Sequence, residues 1–398
     1  MIEEDDDRNS RERMLVALSH REPDRVPFDL GGTVDTGIHY IAYRNLLLHL
    51  NKSHLLEDLG EDETNLLDPI QGIVSIDEEV AQYLRTDVRA FRPNDPSSWD
   101  LTVLKAGHNK AIIDELGVKW TKRNGEHYFD QTSEGHPLSA LVDLEDIERY
   151  PWPDAGDPAR TATGLRESIE KHSKDYAITL GDPFGGILAT GFRMRGYANF
   201  YMDLAAKPSL ACSLMDKITE LKMEYWRLAL DKVGDLINVI VLEDDLGQQD
   251  RTLVSPKMYR KLIKPRYRRL INLLKERKSP WTYIFFHTDG SVYDVLPDLI
   301  EMGIDILNPV QVSAAKMDPA KLKKEFGNEI TFWGGGVDTQ QVLPFAKPEE
   351  VKQEVRKRIE ELAPGGGFVF STIHNIQPDV PPKNLIAMWE ALQEYGKY

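Results

Sequence analysis

Short apolar runs alternate with segments of helical spacing through much of the chain, and this alternation limits the folds that the chain can adopt. From residue 160 onward the apolar runs have the length of strands, and they lie at 176–181, 236–242, 281–287, 303–308, 329–334 and 367–371. Helical segments lie between and after them, at 205–233, 256–278, 291–302, 318–326, 347–363 and 382–395. Because strands joined through helices pair in parallel by right-handed crossovers, the pattern predicts an α/β protein.

Two earlier strand-like runs, at 25–30 and 87–92, bring the number of predicted strands to eight. Eight strands favour a (β/α)8 barrel over an open doubly wound sheet. No Gly-x-Gly-x-x-Gly follows the first run and no Gly-Lys-Ser/Thr occurs, which argues against a Rossmann or P-loop enzyme. We therefore expect one barrel domain over residues 1–398, with an N-terminal helical extension at Ser10 to His20.

Residues 93–155 interrupt the alternation and predict an insertion into the barrel. Residues 118–122 and 127–130 have strand character and flank Asn124-Gly125, a dipeptide typical of β-hairpins. We expect a small antiparallel element that covers one mouth of the barrel. The sequence leaves open whether it acts as a lid or as the contact of a homodimer.

The composition excludes several classes of protein. Hydrophobic residues make up 41% and charged residues 29% of the 398 residues, as in ordinary globular proteins. No apolar run reaches the roughly 20 residues of a membrane span. The acidic N-terminus differs from a signal peptide, so a cytoplasmic protein without a membrane partner is expected. A net charge of −16 without a basic stripe argues against nucleic acid, and the single cysteine, Cys212, excludes a cage of several thiolates.

Polar residues follow the predicted strands at the edge where a barrel carries its active site. An apolar run ends in His287-Thr288-Asp289, and the last one leads into His374-Asn375. We expect these groups to share one mouth with the polar residues that end the other runs, together with one tryptophan: Asp29, Asp182, Glu243, Asn308, Gln311 and Trp333.

His287 and His374 are candidate metal ligands, because neutral imidazole is the commonest nitrogen ligand and a carboxylate such as Glu243 or Asp289 would complete a mixed site. They could instead hydrogen-bond loop backbone, or act as general acid and base. Trp333 precedes three glycines and is either a barrel-core residue or a flat wall against the substrate.

The chain resembles the uroporphyrinogen decarboxylase superfamily in several blocks. These are Ser10 to Met14, Arg21 to Pro27, Arg195 to Met202, Ser255 to Tyr259 and Gly303 to Pro309. The resemblance implies a (β/α)8 barrel with its site in a deep cleft at the carboxyl ends of the strands. The superfamily includes true decarboxylases and corrinoid-dependent methyltransferases.

The chain departs from the decarboxylases in the loop after Pro27, where Phe28 to Thr33 replaces their Arg-Gln-Ala-Gly-Arg motif. Those arginines bind substrate carboxylates, and an acidic mouth would repel a tetrapyrrole with eight of them. In the methyltransferase branch a zinc site uses a His-x-Cys motif and a later cysteine. His287-Thr288-Asp289 stands at the first position and His374 near the second, which implies a harder zinc site.

The leading hypothesis is a zinc-dependent methyltransferase that moves a methyl group from a small O- or N-methylated substrate to a corrinoid protein. Its expected metal ligands are His287, Glu243, His374 and Asp289, and its expected catalytic residues are His287, Asp289 and Asp29. The residues expected to bind substrate are Asp182, Asn308, Gln311, Trp333 and Asn375.

The alternative hypothesis is a metal-free lyase that decarboxylates a small substrate with His287 and Asp289 as its proton donor pair. A binding protein is the third hypothesis. It is weaker because the polar groups cluster at one edge of the strands.

Overall fold

The computed structural model describes residues 8–57, 59, 66–141, 143–162 and 164–398. In this part of the chain the strands are β1 Val88–Phe91, β2 Val103–Ala106, β3 Asn109–Ile113, β4 Lys119–Lys122, β5 Asp130–Gln131, β6 Ala177–Gly181, β7 Val239–Glu243, β8 Tyr283–His287, β9 Ile306–Asn308, β10 Thr331–Trp333 and β11 Phe368–Val369. Seven of them pair in parallel in one sheet, in the order β1-β6-β7-β8-β9-β10-β11. The other four form an antiparallel sheet in the order β2-β3-β4-β5.

The parallel sheet is closed by the first predicted strand, which is reduced to a single bridge. Phe28 pairs in parallel with Phe370, just beyond β11. On the other side, its carbonyl accepts a hydrogen bond from the amide of Asp87, just before β1, at 2.8 Å. Pro27 has no N–H to donate, which explains why this segment does not extend into a regular strand. The chain therefore folds as the predicted (β/α)8 barrel.

Helices surround the barrel and connect its strands. They are α1 Ser10–Leu18, α2 Tyr40–His49, α3 Glu78–Tyr83, α4 Leu144–Arg149, α5 Leu165–Glu170, α6 Ile187–Arg195, α7 Tyr197–Ala206, α8 Pro208–Val233, α9 Pro256–Met258, α10 Lys264–Arg277, α11 Leu296–Met302, α12 Pro319–Phe326, α13 Val342–Phe345, α14 Pro348–Leu362 and α15 Pro382–Tyr395. Among the described residues, none of these helices has both the length and the apolar character needed to cross a membrane.

The barrel interior is packed, and α1 covers its lower end. Met14 and Leu18 of α1 belong to the same buried cluster as Phe285 and Trp333 from the strands. The amide of Gly367, before β11, donates to a carbonyl in the last turn of α1 at 2.9 Å. The predicted N-terminal helical extension thus closes the bottom of the barrel, and the opposite end remains for the site.

A buried carboxylate fastens α1 to the seam of the barrel. Asp87 is fully buried and accepts hydrogen bonds from the guanidinium groups of Arg13 and Arg25 at 2.7–2.9 Å. It also accepts the amide N–H of Phe28 at 2.8 Å. One side chain therefore joins the helix, the bridging segment and β1.

We expect Asp87→Ala to lower the free energy of unfolding by about 3 kcal/mol, because Arg25 loses its carboxylate partner and Arg13 keeps only Asp24. Chemical denaturation followed by circular dichroism measures this change. Glu145→Ala is a suitable control, since Glu145 pairs with Arg149 at the surface and both side chains are mostly exposed. A loss no larger than that of the control would contradict the assigned role of Asp87.

The antiparallel sheet lies within the predicted insertion, and it differs from the expected hairpin. Trp120 pairs with Gln131 and Thr121 with Asp130, so the second strand starts three residues later than predicted. Residues 127–129 leave the sheet instead. The amide of Phe129 donates to the carbonyl of Ile70 at 3.0 Å, and the hydroxyl of Tyr128 donates to Gln377. These contacts carry the segment over the mouth of the barrel.

Candidate metal and substrate site at the barrel mouth

A cluster of one carboxylate and two imidazoles lies at the carboxyl ends of the strands. Asp35, His287 and His374 each offer a ligand atom, and these atoms lie within 4.8 Å of one another. Asp35 and His287 are buried, whereas the side chain of His374 is 27% exposed. The rings of His287 and His374 meet edge to face with 5.4 Å between their centroids. The two histidines singled out in the sequence therefore share one site.

His287 ends β8 and is oriented by Asn308, the last residue of the neighbouring β9. The amide nitrogen of Asn308 donates to the carbonyl of Trp333 at 2.8 Å, so its oxygen faces Nδ1 of His287 at 2.7 Å. Nδ1 must therefore carry the proton. In the neutral ring the lone pair is on Nε2, which lies 3.9 Å from Oδ2 of Asp289.

The acidity of His287 and Asp35 is set by burial and by their mutual charge. Burial alone would lower the pKa of His287, but the carboxylates of Asp35 and Asp289 and the hydrogen bond to Asn308 outweigh it and raise the pKa to about 9. Burial raises the pKa of Asp35 to about 6, against the opposing charge of His287. Oδ2 of Asp35 lies 3.8 Å from Nδ1 of His287 and has no hydrogen-bond partner among the described residues.

His374 is held in an unfavourable backbone conformation at the site. Its φ is 108°, in a region that side chains other than glycine rarely adopt, and such strain persists only where the surroundings enforce it. Its Nδ1 accepts the amide N–H of Asn375 at 2.8 Å, and its Nε2 lies 3.6 Å from Oδ2 of Asp289. Ligation through Nε2 would move the proton to Nδ1, so the ring would first have to release that amide.

Asp35 was not among the residues selected from the sequence, because it lies within a loop rather than directly after a strand. This loop folds back on itself. The amide of Gly31 donates to the carbonyl of Thr36 at 2.8 Å, and the amide of Asp35 donates to the hydroxyl of Thr33 at 3.1 Å. The sequence feature that could have pointed to Asp35 is its position between two threonines, soon after the first predicted strand.

Asp29, expected as a catalytic residue, supports this loop from below. Its two oxygens accept the amide of Gly32 and the indole N–H of Trp333, both at 2.7 Å. A side chain at position 32 would approach Oδ1 of Asp29 to 2.4 Å, so only glycine fits there. Burial raises the pKa of Asp29 to about 6. Trp333 is fully buried in the barrel interior, which fits the core interpretation rather than a wall against the substrate.

The acidic residues at the end of β7 and directly after it make different contacts. Glu243 is not part of the candidate ligand cluster, and its nearest ion-pair partner is Arg193, at 4.0 Å. The structure thus favours Asp35 over Glu243 as the carboxylate of the cluster. Asp244 is buried and caps α6, accepting the amides of Leu188 and Ala189 at 2.8 Å.

The other residues expected to bind substrate form contacts within the protein. Asp182 is paired with the buried Lys222 at 2.8 Å. Gln311 accepts the amide of Gly290 at 2.6 Å, and Asn375 accepts the amide of Gly37 at 2.7 Å. Asn308 orients His287, as described above. Asp182, Gln311 and Asn375 line cavities, and their binding of substrate stays a prediction.

Two cavities open at this mouth and share part of their lining. The first, of about 590 Å³, has aromatic walls and is called here the aromatic cavity. The second, of about 1000 Å³, is lined by His374 and Asp289 and is called the histidine cavity. Tyr128 and Gln377 line both, joined by the hydrogen bond between their side chains. The aromatic rings of the first cavity are Phe91, Trp99, Trp120, Tyr128, Phe129 and Phe184.

Comparison with protein families shows to which family this barrel belongs. The family model described as uroporphyrinogen decarboxylase matches residues 132–395, about two thirds of the chain. The chain belongs to the uroporphyrinogen decarboxylase family. The match includes the strands β6 to β11 and both histidines of the cluster, whereas Asp35 and the antiparallel sheet precede it.

Curated members of the family are distant from this chain. The uroporphyrinogen decarboxylase of Geobacter sulfurreducens is 25% identical over 266 residues, which cover 66% of this chain and 72% of that protein. The enzyme of Pseudomonas syringae is also 25% identical, over 279 residues that cover 67% and 73%. Among solved structures, a methyltransferase from Methanosarcina mazei superposes with a TM-score of 0.62 at 19% identity, over 98% of this chain and 99% of that one. This last likeness supports the fold.

Proposed function

We propose that this family member is a zinc-dependent methyltransferase, which moves a methyl group from a small O- or N-methylated substrate to a corrinoid protein. The observation that carries the proposal is the cluster of Asp35, His287 and His374 at the barrel mouth. The methyltransferase from Methanosarcina mazei, which shares the fold, adds support. The single cysteine, Cys212, lies on α8, outside the cluster.

The cluster fits zinc by the chemistry of its donors. Two imidazoles and a carboxylate make a three-ligand set that leaves further positions for substrate, as in catalytic zinc sites. The buried Oδ2 of Asp35 has no hydrogen-bond partner among the described residues, and a cation would satisfy it. Asp289, 3.6–3.9 Å from both Nε2 atoms, would be a fourth ligand or would orient an imidazole.

The residues of the mouth would prepare the substrate for transfer. When bound, zinc supplies a Lewis acid that draws electron density from the oxygen or nitrogen that carries the methyl group. Asn308 keeps the proton of His287 on Nδ1, so that Nε2 is available on the side of the mouth. The demethylated oxygen or nitrogen would finally take up a proton from solvent water. The methyl group leaves without the bonding electron pair, and the electron pair of cobalt(I) in the partner corrinoid would form the new bond.

The zinc content of the protein and the pH dependence of its zinc affinity test the proposal. Metal analysis of the purified protein should give about one zinc ion per chain. Because the proton on Nε2 of His287 must leave before the nitrogen can bind, and the metal-free pKa is about 9, zinc affinity should rise about tenfold per pH unit between roughly pH 7 and pH 8, above the pKa of about 6 for Asp35. Competition with a chromophoric chelator measures it. Absence of bound zinc after zinc loading would contradict the proposal.

The raised pKa of His287 also supports a second candidate, a metal-free decarboxylase. A histidine with a pKa of about 9 is protonated at neutral pH and could deliver a proton to the carbon that loses carbon dioxide. Asp35 and Asp289 would stabilise its cationic form. Release of carbon dioxide from a carboxylated substrate, without zinc or corrinoid, would favour this candidate over methyl transfer.

A further inference from the structure

Among the described residues that line the aromatic cavity, one arginine has a guanidinium group without a hydrogen bond. Three arginines line this cavity. Arg160 pairs with Glu115 at 2.9 Å, and Arg92 donates to the carbonyl of Leu67 at 2.7 Å. The guanidinium group of Arg193 makes no hydrogen bond to any residue that the structure describes, and its closest charged neighbour is Glu243, at 4.0 Å. Five N–H donors are therefore available to a ligand.

The surroundings of Arg193 hold the guanidinium group against an aromatic wall. Its central carbon lies 5.7 Å from the ring centroid of Trp120, within the range of a cation–π contact. Gly185 leaves the space that the guanidinium group occupies, because a side chain there would approach Nη1 to 2.8 Å. The indole N–H of Trp120 is fixed by Asp114 at 2.9 Å. A flat apolar surface and a planar set of donors thus lie side by side.

We propose that the aromatic cavity binds a small aromatic carboxylate, with Arg193 as the residue that binds its carboxylate group. Guanidinium and carboxylate groups match in a planar, two-point geometry, and the ligand ring would lie against Trp120. The cavity, of about 590 Å³, is large enough for one substituted ring. This assignment rests on the proposed function, because the aromatic carboxylate would be the substrate that carries the methyl group.

The position of the cavity agrees with that role. Glu243, which lines this cavity, is the direct neighbour of His287 in the pairing of β7 with β8. Neighbouring strands lie about 4.8 Å apart, so a substituent of a ring held by Arg193 can extend towards the histidine cluster. The carboxylate and the reacting group would then occupy opposite ends of the ligand.

Isothermal titration calorimetry with benzoate, benzamide and benzylamine tests the assignment, using the full chain. Benzoate should bind about tenfold or more tightly than benzamide, since a charge-assisted hydrogen bond contributes about 1.5–3 kcal/mol. In Arg193→Gln this preference should disappear. The matched control, Arg92→Gln, removes a cation from the same cavity that is already hydrogen-bonded, and it should keep the preference.

A measurement on the unaltered protein covers the case in which Arg193→Gln fails to fold. Phenylglyoxal modifies accessible arginines, and peptide mass spectrometry reports modification at each site. Benzoate should protect Arg193 and benzamide should not. Equal binding of benzoate and benzamide, tighter binding of benzylamine, or a preference that survives in folded Arg193→Gln would overturn the assignment. These experiments need neither zinc nor turnover. If the chain binds no zinc but prefers benzoate over benzamide through Arg193, the assignment of the binding site stands and the proposed zinc-dependent methyl transfer is rejected.

Discussion

Replacement of His287 by alanine is expected to remove stoichiometric zinc and to lower methyl transfer by about a thousandfold or more. The reason is the position of this ring between its partners. Nδ1 is held by Asn308, Nε2 lies on the side of Asp289 and His374, and the carboxylate of Asp35 is 3.8 Å away. Without this imidazole the cluster keeps only one of its two nitrogen donors, and zinc affinity falls with the loss of a bond.

The measurement combines metal analysis with an absorbance assay for methylation of free cob(I)alamin by O- and N-methylated aromatic compounds. His54→Ala is the control, because this histidine is mostly exposed and pairs with Glu79 at the surface. Thermal unfolding of both variants separates loss of the metal from loss of the fold. If folded His287→Ala kept wild-type zinc content and activity, the cluster would not be the reacting centre.

The sequence predicted the barrel and the position of two histidines of the candidate site for one physical reason. Parallel strands are buried on both faces, so they appear as apolar runs, and the first polar residue after each run lies at the mouth. His287 follows such a run directly and is found at the mouth. His374 lies slightly farther along the chain, and its left-handed backbone returns its ring to the cluster.

The same reasoning could not reveal which polar residues turn inward or pair with each other. Asp29 follows its run as His287 does, yet both of its oxygens are bound by Gly32 and Trp333. That pairing spans the barrel seam and depends on a contact 304 residues apart in the chain. Tyr128 also reaches the mouth only through a tertiary contact, with Gln377. Periodicity reports which side of a strand is buried but not which distant side chain satisfies a buried carboxylate.

Asp35 is the residue at which the ligand set expected from the sequence and the cluster seen in the structure disagree. Substitutions can decide which carboxylate binds zinc. We expect Asp35→Asn to lower zinc affinity by more than about a hundredfold. Substitution of a residue that only hydrogen-bonds to a metal ligand typically lowers metal affinity about 10–100-fold, and loss of a charged ligand itself should lower it further. The substitution keeps the shape of the side chain. The loop that carries it is held through the backbone and the hydroxyls of Thr33 and Thr36, so the fold should be preserved.

Glu243→Gln is the matched comparison, since it also neutralises one carboxylate at the mouth without changing its size. The carboxylate of Glu243 is outside the group of mutually close ligand atoms and lies 4.0 Å from Arg193, so this variant should bind zinc within about threefold of the wild type. Competition titrations of both variants with the same chelator measure the difference. If Glu243→Gln lost zinc while Asp35→Asn retained it, the ligand set inferred from the strand ends would be right, and Asp35 would serve only to hold the charge of His287.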